Sequence, residues 1–186
     1  MALRVETKRY TYADYIGWGE EVRCELIEGT PYAMAGTSRT HQRVYGVLHQ
    51  IIGNYLEDKT CEMFSHNFDV RLNSNDYDDT VVQPDIFVVC DPTILDDRSC
   101  NGAPDFVIEI LSPSTSRRDR TVKLRIYEEA GVTEYWIVDP YKKVVEVYLL
   151  NNGTFDDPLK YKESDTILAT VLEGCQIKLA RVFKNL

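Results

Sequence analysis

Apolar positions along this chain keep two rhythms, one helical and one alternating. After Ser38 they recur at Val44, Val47, Leu48, Ile51, Ile52, Tyr55 and Leu56, a single stripe at helical spacing that predicts a core-facing helix. Elsewhere, short apolar runs bounded by Gly, Pro, Asn and Asp predict strands. Arg23–Ile27 is one, folded by the turn Glu28-Gly29-Thr30-Pro31 onto Tyr32–Met34; Cys61–Ser65 and Phe68–Leu72 follow, and NSNDYDD is a loop. VVQPDIFVVC, Val81–Cys90, reads as one strand buried on both faces, bulged or at an edge where Pro84 removes a backbone donor. After the loop DPTILDDRSCNGAP comes the strand Phe106–Leu111. The amphipathic helix behind it can be capped by Ser114 or Ser116 and is closed by Gly131. Thr133–Val138 and Val144–Leu150 are strands, and Asn152-Gly153 turns the chain toward Leu159–Tyr161. Ile167–Leu172 and Gln176–Leu179 are shorter apolar runs, and a short helix over Thr11–Trp18 opens the chain. This order predicts an α/β or α+β architecture, a mixed sheet with helices against its faces and an N-terminal hairpin extension.

Length and composition narrow the picture. The 186 residues fit one domain, 1–186, and no repeat or low-complexity tract divides it. A net charge of -9 opposes non-specific attraction to nucleic acid or to an anionic membrane. Any polyanion must therefore be held by local charge or bound metal. The five cysteines are odd in number and lack C-x-x-C spacing, which predicts free thiols in a reducing compartment. The first residues, MALRVETKRYTYADY, lack the apolar core of a signal peptide, and no apolar run approaches membrane-spanning length. A soluble, cytoplasmic protein is expected.

Two of the strands carry intrusive acids. Glu109 interrupts FVIEIL, and Asp85 interrupts VVQPDIFVV. An ionised carboxylate in such a run is costly to bury unless cations or donors compensate it. Alternation puts Glu109 on one face with Val107 and Leu111, and Asp85 with Gln83 and Phe87. If the strands are neighbours, the acids converge, and carboxylate oxygens with a backbone carbonyl suit Mg²⁺ or Mn²⁺. Lys123 is the candidate to orient or deprotonate a water. It aligns with Asp119 and Tyr127 at intervals of four, its stem expected along packed surface and its ammonium at the rim.

Pro84-Asp85, then Glu109 in an apolar strand, then a nearby lysine, resembles the signature of the PD-(D/E)XK nuclease superfamily. More narrowly, EILSPSTSRRDRTVKLRIYEEAGVTEYWIVDP, with CELIEGTPYAM and the His41 helix upstream, is similar to the Uma family of restriction-endonuclease-like proteins. The resemblance spans about Tyr12 to Leu150. It implies a four-stranded mixed sheet flanked by helices, divalent-metal-dependent phosphodiester cleavage and a homodimer. Asp85, Glu109 and the backbone of Ile110 would hold the metal. The lysine usually stands two residues after the acid, where this chain has Leu111; the resemblance moves the role to Lys123. Pro104-Asp105 is a rival pair, set aside because Asp105 shares a strand with Glu109.

The remaining candidates each carry an ordinary alternative. Arg117, Arg118 and Arg120 sit at or just before a helix amino terminus, where cations oppose the helix dipole; a solvated face is the default reading of such a run, and this placement strengthens the case for contact with substrate phosphate. Glu25 reads as an exposed hairpin acid that the resemblance brings near the metal, and His41 as a core histidine on the apolar stripe. The expected partners are nucleic acid, DNA foremost, and a second copy of the chain, with no membrane. Two other functions fit the displaced lysine and the acidic charge: a catalytically inactive nuclease fold that binds or assembles, and a hydrolase of smaller phosphodiesters.

Overall fold

The computed structural model describes residues 8–186, apart from 20, 35 and 75. Thr11 caps the first helix, α1 (Tyr12–Ile16), its backbone N–H and hydroxyl both donating to the Asp14 carboxylate at 2.9 and 3.1 Å. The hairpin β1 (Cys24–Ile27) and β2 (Thr30–Ala33) turns on Glu28-Gly29 alone, both at positive φ (48° and 73°). Two such residues make the turn whose twist matches the flanking strands. Gly29 is required there for a second reason, since a Cβ would lie 2.8 Å from the Arg9 Cβ. The turn is thus tighter than the expected four residues, and β2 begins before Tyr32. In α2 (Arg39–Leu56) the Ser38 hydroxyl accepts the His41 N–H at 3.1 Å, and Val44, Leu48, Ile52 and Leu56 are buried as the stripe predicts.

β3 (Glu62–Ser65) and β4 (Asp69–Arg71) follow. The run expected as one strand over 81–90 is two: β5 (Val81–Val82) in one sheet and β6 (Ile86–Val89) in another. Gln83-Pro84-Asp85 carries the chain between them, and Pro84 stands where its missing donor would have broken a ladder. Periodicity does not register this break, because the residues on both sides of it are buried. β7 (Ser99–Cys100) adds a short strand inside the expected loop, and β8 (Phe106–Ile110) is followed by α3 (Ser116–Arg118). The backbone then loosens into a π turn at Asp119–Lys123 before α4 (Leu124–Ala130), which Gly131 closes at φ 92°. The chain ends with β9 (Glu134–Asp139), β10 (Val144–Asn151), β11 (Thr154–Phe155), β12 (Leu159–Lys162), β13 (Thr166–Leu168), β14 (Gln176–Lys178) and α5 (Leu179–Val182).

The strands form a seven-stranded sheet ordered β11-β10-β9-β8-β6-β3 with β12 also on β10, a five-stranded sheet ordered β2-β1-β5-β4-β7, and the pair β13-β14. In the larger sheet β8 and β9 are parallel and their neighbours antiparallel, so the sheet is mixed, and wider than the four strands the resemblance implies. One of its faces packs Ile108, Trp136 and Val138 against α2 and α5; the other packs Phe87, Val107, Leu111 and Ile137 against Ile126, Tyr127 and Val132. Each such side chain contributes about 1.5–3 kcal/mol on burial. Glu109 lies on the second face, as its alternation with Val107 and Leu111 predicts.

One cysteine expectation is corrected. Cys61 and Cys90, separated by 29 residues, form a disulfide, while Cys24, Cys100 and Cys175 are free and buried. The antiparallel register of β3 on β6, with Glu62 opposite Val89, brings the two thiols together, and no sequence spacing encodes that pairing. No helix among the described residues is long and apolar enough to cross a membrane.

Candidate active site

Ile86 lies opposite Ile108, and Phe87 opposite Val107, across the β6–β8 ladder. One step further along that antiparallel register sets Asp85 across from Glu109, so the two intrusive acids meet where the chain leaves one sheet for the other. Both line a cavity of about 70 Å³, room for a few waters. The Asp85 Oδ2 accepts the Ile110 backbone N–H at 2.7 Å and lies 3.0 Å from His41 Nε2. The Glu109 Oε1 accepts from Lys123 Nζ and from the Tyr127 hydroxyl, each at 2.7 Å. The other oxygens, Asp85 Oδ1 and Glu109 Oε2, have no hydrogen bond among the described residues.

Glu25 completes the cluster from β1. Its Oε1 lies 2.7 Å from Lys123 Nζ and accepts the Gln83 backbone N–H at 3.2 Å; its Oε2 is 3.8 Å from Arg118. Lys123 is therefore clamped between two buried glutamates, with its ammonium inside the molecule and not at the rim. The π turn ends at Lys123, and such turns recur at functional sites. It presents Asp119 and Lys123 inward, and both are buried.

Glu25, Asp85, Glu109 and Asp119 thus share two fixed cations, Lys123 and Arg118, around one cavity. Burial, only partly offset by Lys123, pushes the Glu109 carboxyl up to about 8, with Asp119, Asp85 and Glu25 adding to the rise. Burial also raises Asp119, against the pull of Lys123. For Lys123 itself burial would lower the pKa, but Glu109, Glu25 and Asp119 outweigh it, so the ammonium stays protonated. Tyr127 is held well above its ordinary value by burial and by Glu109, so it acts as a neutral donor.

The sequence candidates separate clearly in space. Asp85, Glu109, Ile110, Lys123, Glu25, His41 and Arg118 all line the same cavity. Ile110 contributes its N–H to Asp85. His41 proves to be a partner of Asp85, its Nδ1 buried with no partner among the described residues. Arg117 is exposed and shares a shallow surface groove with Arg118, Tyr32 and Thr121. Arg120 turns away, pairing with Asp139 at 3.4 Å and with Glu146, so it is not placed for the phosphate contact expected of it. Asp105 accepts the Cys90 N–H at 2.7 Å, a structural role that agrees with setting its Pro-Asp pair aside. Asp119, Tyr127 and Gln83 belong to the cluster without having been assigned roles. The four-residue spacing of Asp119, Lys123 and Tyr127 was the available signal for the first two.

The fold is a nuclease-like α+β fold. A crystal structure from Anabaena variabilis, described as "a putative nuclease belonging to DUF820", matches with a TM-score of 0.79 and 19% identity, over 94% of this chain and 97% of that one. Residues 11–180 match the model of the Uma2 family, "Putative restriction endonuclease", and the chain belongs to that family. It is also similar to two uncharacterized Synechocystis proteins. One, slr1290, is 29% identical over 83% of this chain and 81% of its own length; the other, sll1609, is 27% identical over 80% and 85%.

Proposed function

We propose that this protein is a divalent-metal-dependent endonuclease that hydrolyses phosphodiester bonds of nucleic acid, DNA foremost. The observation that carries the reading is the Asp85–Glu109 pair. Each acid has one oxygen held by protein donors and a second without a partner among the described residues, on a cavity where four carboxyl groups meet two cations. That imbalance suits a dication. Among the described residues no group of three or more His, Cys, Asp or Glu is spaced to hold a metal, so a closed, fully protein-liganded site does not fit. A partly hydrated Mg²⁺ or Mn²⁺ does, since it needs only one or two carboxylates and completes its shell with water and phosphate. Asp85 and Glu109 would hold it, with Ile110 supplying a backbone oxygen.

When bound, such an ion polarises the phosphate and lowers the pKa of a bound water. The chain's own groups do the rest. Lys123, fixed by Glu25 and Glu109, places a permanent positive charge beside the reacting centre and offsets charge developing on the phosphate. Tyr127 and His41 hold the two acids in orientation. Arg118 carries a cation from the cavity to the surface groove, a path for the backbone of a bound strand.

The test is cleavage of plasmid DNA with Mg²⁺ or Mn²⁺ by wild type, Asp85→Ala and Glu109→Gln. Both variants should fold and lose at least about a hundredfold in rate, the scale of removing one electrostatic group from a site. Cleavage equal to wild type in both would end this reading. Cleavage confined to dinucleotides would redirect it to a smaller phosphodiester.

A further inference from the structure

A second, larger cavity of about 760 Å³ lies behind β1, and Gln83 touches both it and the candidate active site. Its volume is that of a ligand pocket. Tyr12, Tyr15 and Phe68 give it an aromatic wall, in which Tyr12 and Tyr15 stack on each other at 5.9 Å and Phe68 stacks on Phe64 at 4.8 Å, and a wall of flat rings suits a flat ligand. Within it, Asp69 Oδ1 accepts from the Tyr15 hydroxyl at 3.2 Å and from Gln83 Nε2 at 2.9 Å. Among the described residues neither Asp69 Oδ2 nor Gln83 Oε1 has a hydrogen bond. The cavity therefore presents two adjacent open acceptors. Arg23 and Arg98 are exposed at its mouth beside Asp97, and neither arginine forms an ion pair among the described residues.

We infer that this cavity binds a nucleotide whose base carries an exocyclic amino group, the amino group on Asp69 and Gln83 and the phosphate at Arg23 and Arg98. An amino group has two N–H donors and can satisfy both acceptors at once, whereas thymine offers a single ring N–H. Burial raises the Asp69 carboxyl above its ordinary range, against the pull of its hydrogen bonds from Gln83 and Tyr15. Occupancy has a physical route to the other site. The amide of Gln83 holds Asp69, while its backbone N–H donates to Glu25, which clamps Lys123. The nucleotide can be free or a base of a bound strand; the recognition chemistry is the same, and it does not require that the chain cleave anything.

The experiment is calorimetric titration of the full chain with dAMP, dCMP, dGMP and dTMP, and with two short single strands, all-thymine or carrying one cytosine. The first three nucleotides, or the cytosine-bearing strand, should bind about tenfold more tightly than their thymine counterparts, the discrimination one charge-assisted hydrogen bond supports. Discrimination among free nucleotides identifies a free ligand, and discrimination only between strands identifies a bound base. Asp69→Ala should erase the preference, and the surface variant Arg23→Ala/Arg98→Ala should weaken every probe alike without touching the fold. Glu109→Gln should keep the wild-type preference between bases, whatever it does to overall affinity, which separates this site from the nuclease reading. No preference in either probe set, or tight binding unaffected by the arginine variant, overturns the inference.

Discussion

Two glutamates are buried on neighbouring strands of the larger sheet, Glu109 within β8 and Glu134 at the start of β9. Burial raises the carboxyl pKa of both. Their surroundings differ. Glu134 spends one oxygen on the Trp136 indole N–H at 2.7 Å and the other on the Val171 backbone N–H at 2.8 Å. It fastens the segment after β13 to the sheet with neutral donors and borders neither cavity. Glu109 gives one oxygen to an ammonium and a phenol, keeps the other open, and faces a cavity with three more acids. A shifted pKa is common to the two. What separates a structural acid from a candidate ligand is an open oxygen, a charged partner and a space to work in.

The sharpest way to break this comparison is at Lys123. Lys123→Met leaves Glu25 and Glu109 buried without their ammonium and should cost about 3–5 kcal/mol in urea unfolding, the scale of orphaning a buried charge. A loss below about 1 kcal/mol, the worth of an exposed ion pair, would mean the cluster is solvated. Tyr127→Phe removes one donor to Glu109 and should weaken Mn²⁺ binding about tenfold by calorimetry. Its stability loss should stay near 1 kcal/mol. Unchanged Mn²⁺ affinity would reduce Tyr127 to packing. Arg118→Ala should lower the salt dependence of DNA binding by about one phosphate contact, and Arg120→Ala should leave it alone. Equal effects would contradict the opposite directions the two guanidiniums take.

The mildest effect is expected at Glu134. Its folded pKa is raised, so its ionisation is disfavoured in the fold, and stability is lost as pH rises from the unfolded carboxyl value through the folded one. Glu134→Gln removes that proton. Melting temperatures of wild type and variant across pH 4 to 7 should therefore move steadily in favour of the variant, whatever fixed offset the amide brings. A gap independent of pH would show that Glu134 ionises in the fold as readily as outside it.

Much of the architecture was legible along the chain. Helix α2, the β1–β2 hairpin and the Gly131 stop follow from periodicity and turn chemistry, which are local properties. The failures share a cause. The break inside 81–90 falls between two buried segments, so hydrophobicity is continuous where the ladder is not. The Cys61–Cys90 pair depends on the register of two strands far apart in sequence. Arg117, Arg118 and Arg120 look equivalent in a row, yet the helical turn leaves Arg117 and Arg118 on one surface groove, gives only Arg118 a place on the cavity, and sends Arg120 to Asp139 and Glu146.

The chain alone determined that two acids interrupt apolar runs and that a lysine follows in the next helical segment, because burying such charges without purpose is too costly to occur idly. Only the tertiary structure decided that Asp85 and Glu109 stand opposite each other, that Glu25 comes from another sheet to clamp Lys123, and that Glu134 has no part in the site. Those outcomes rest on strand register and on where the chain changes sheets. Such distances are set by the packed whole and by no local stretch of sequence.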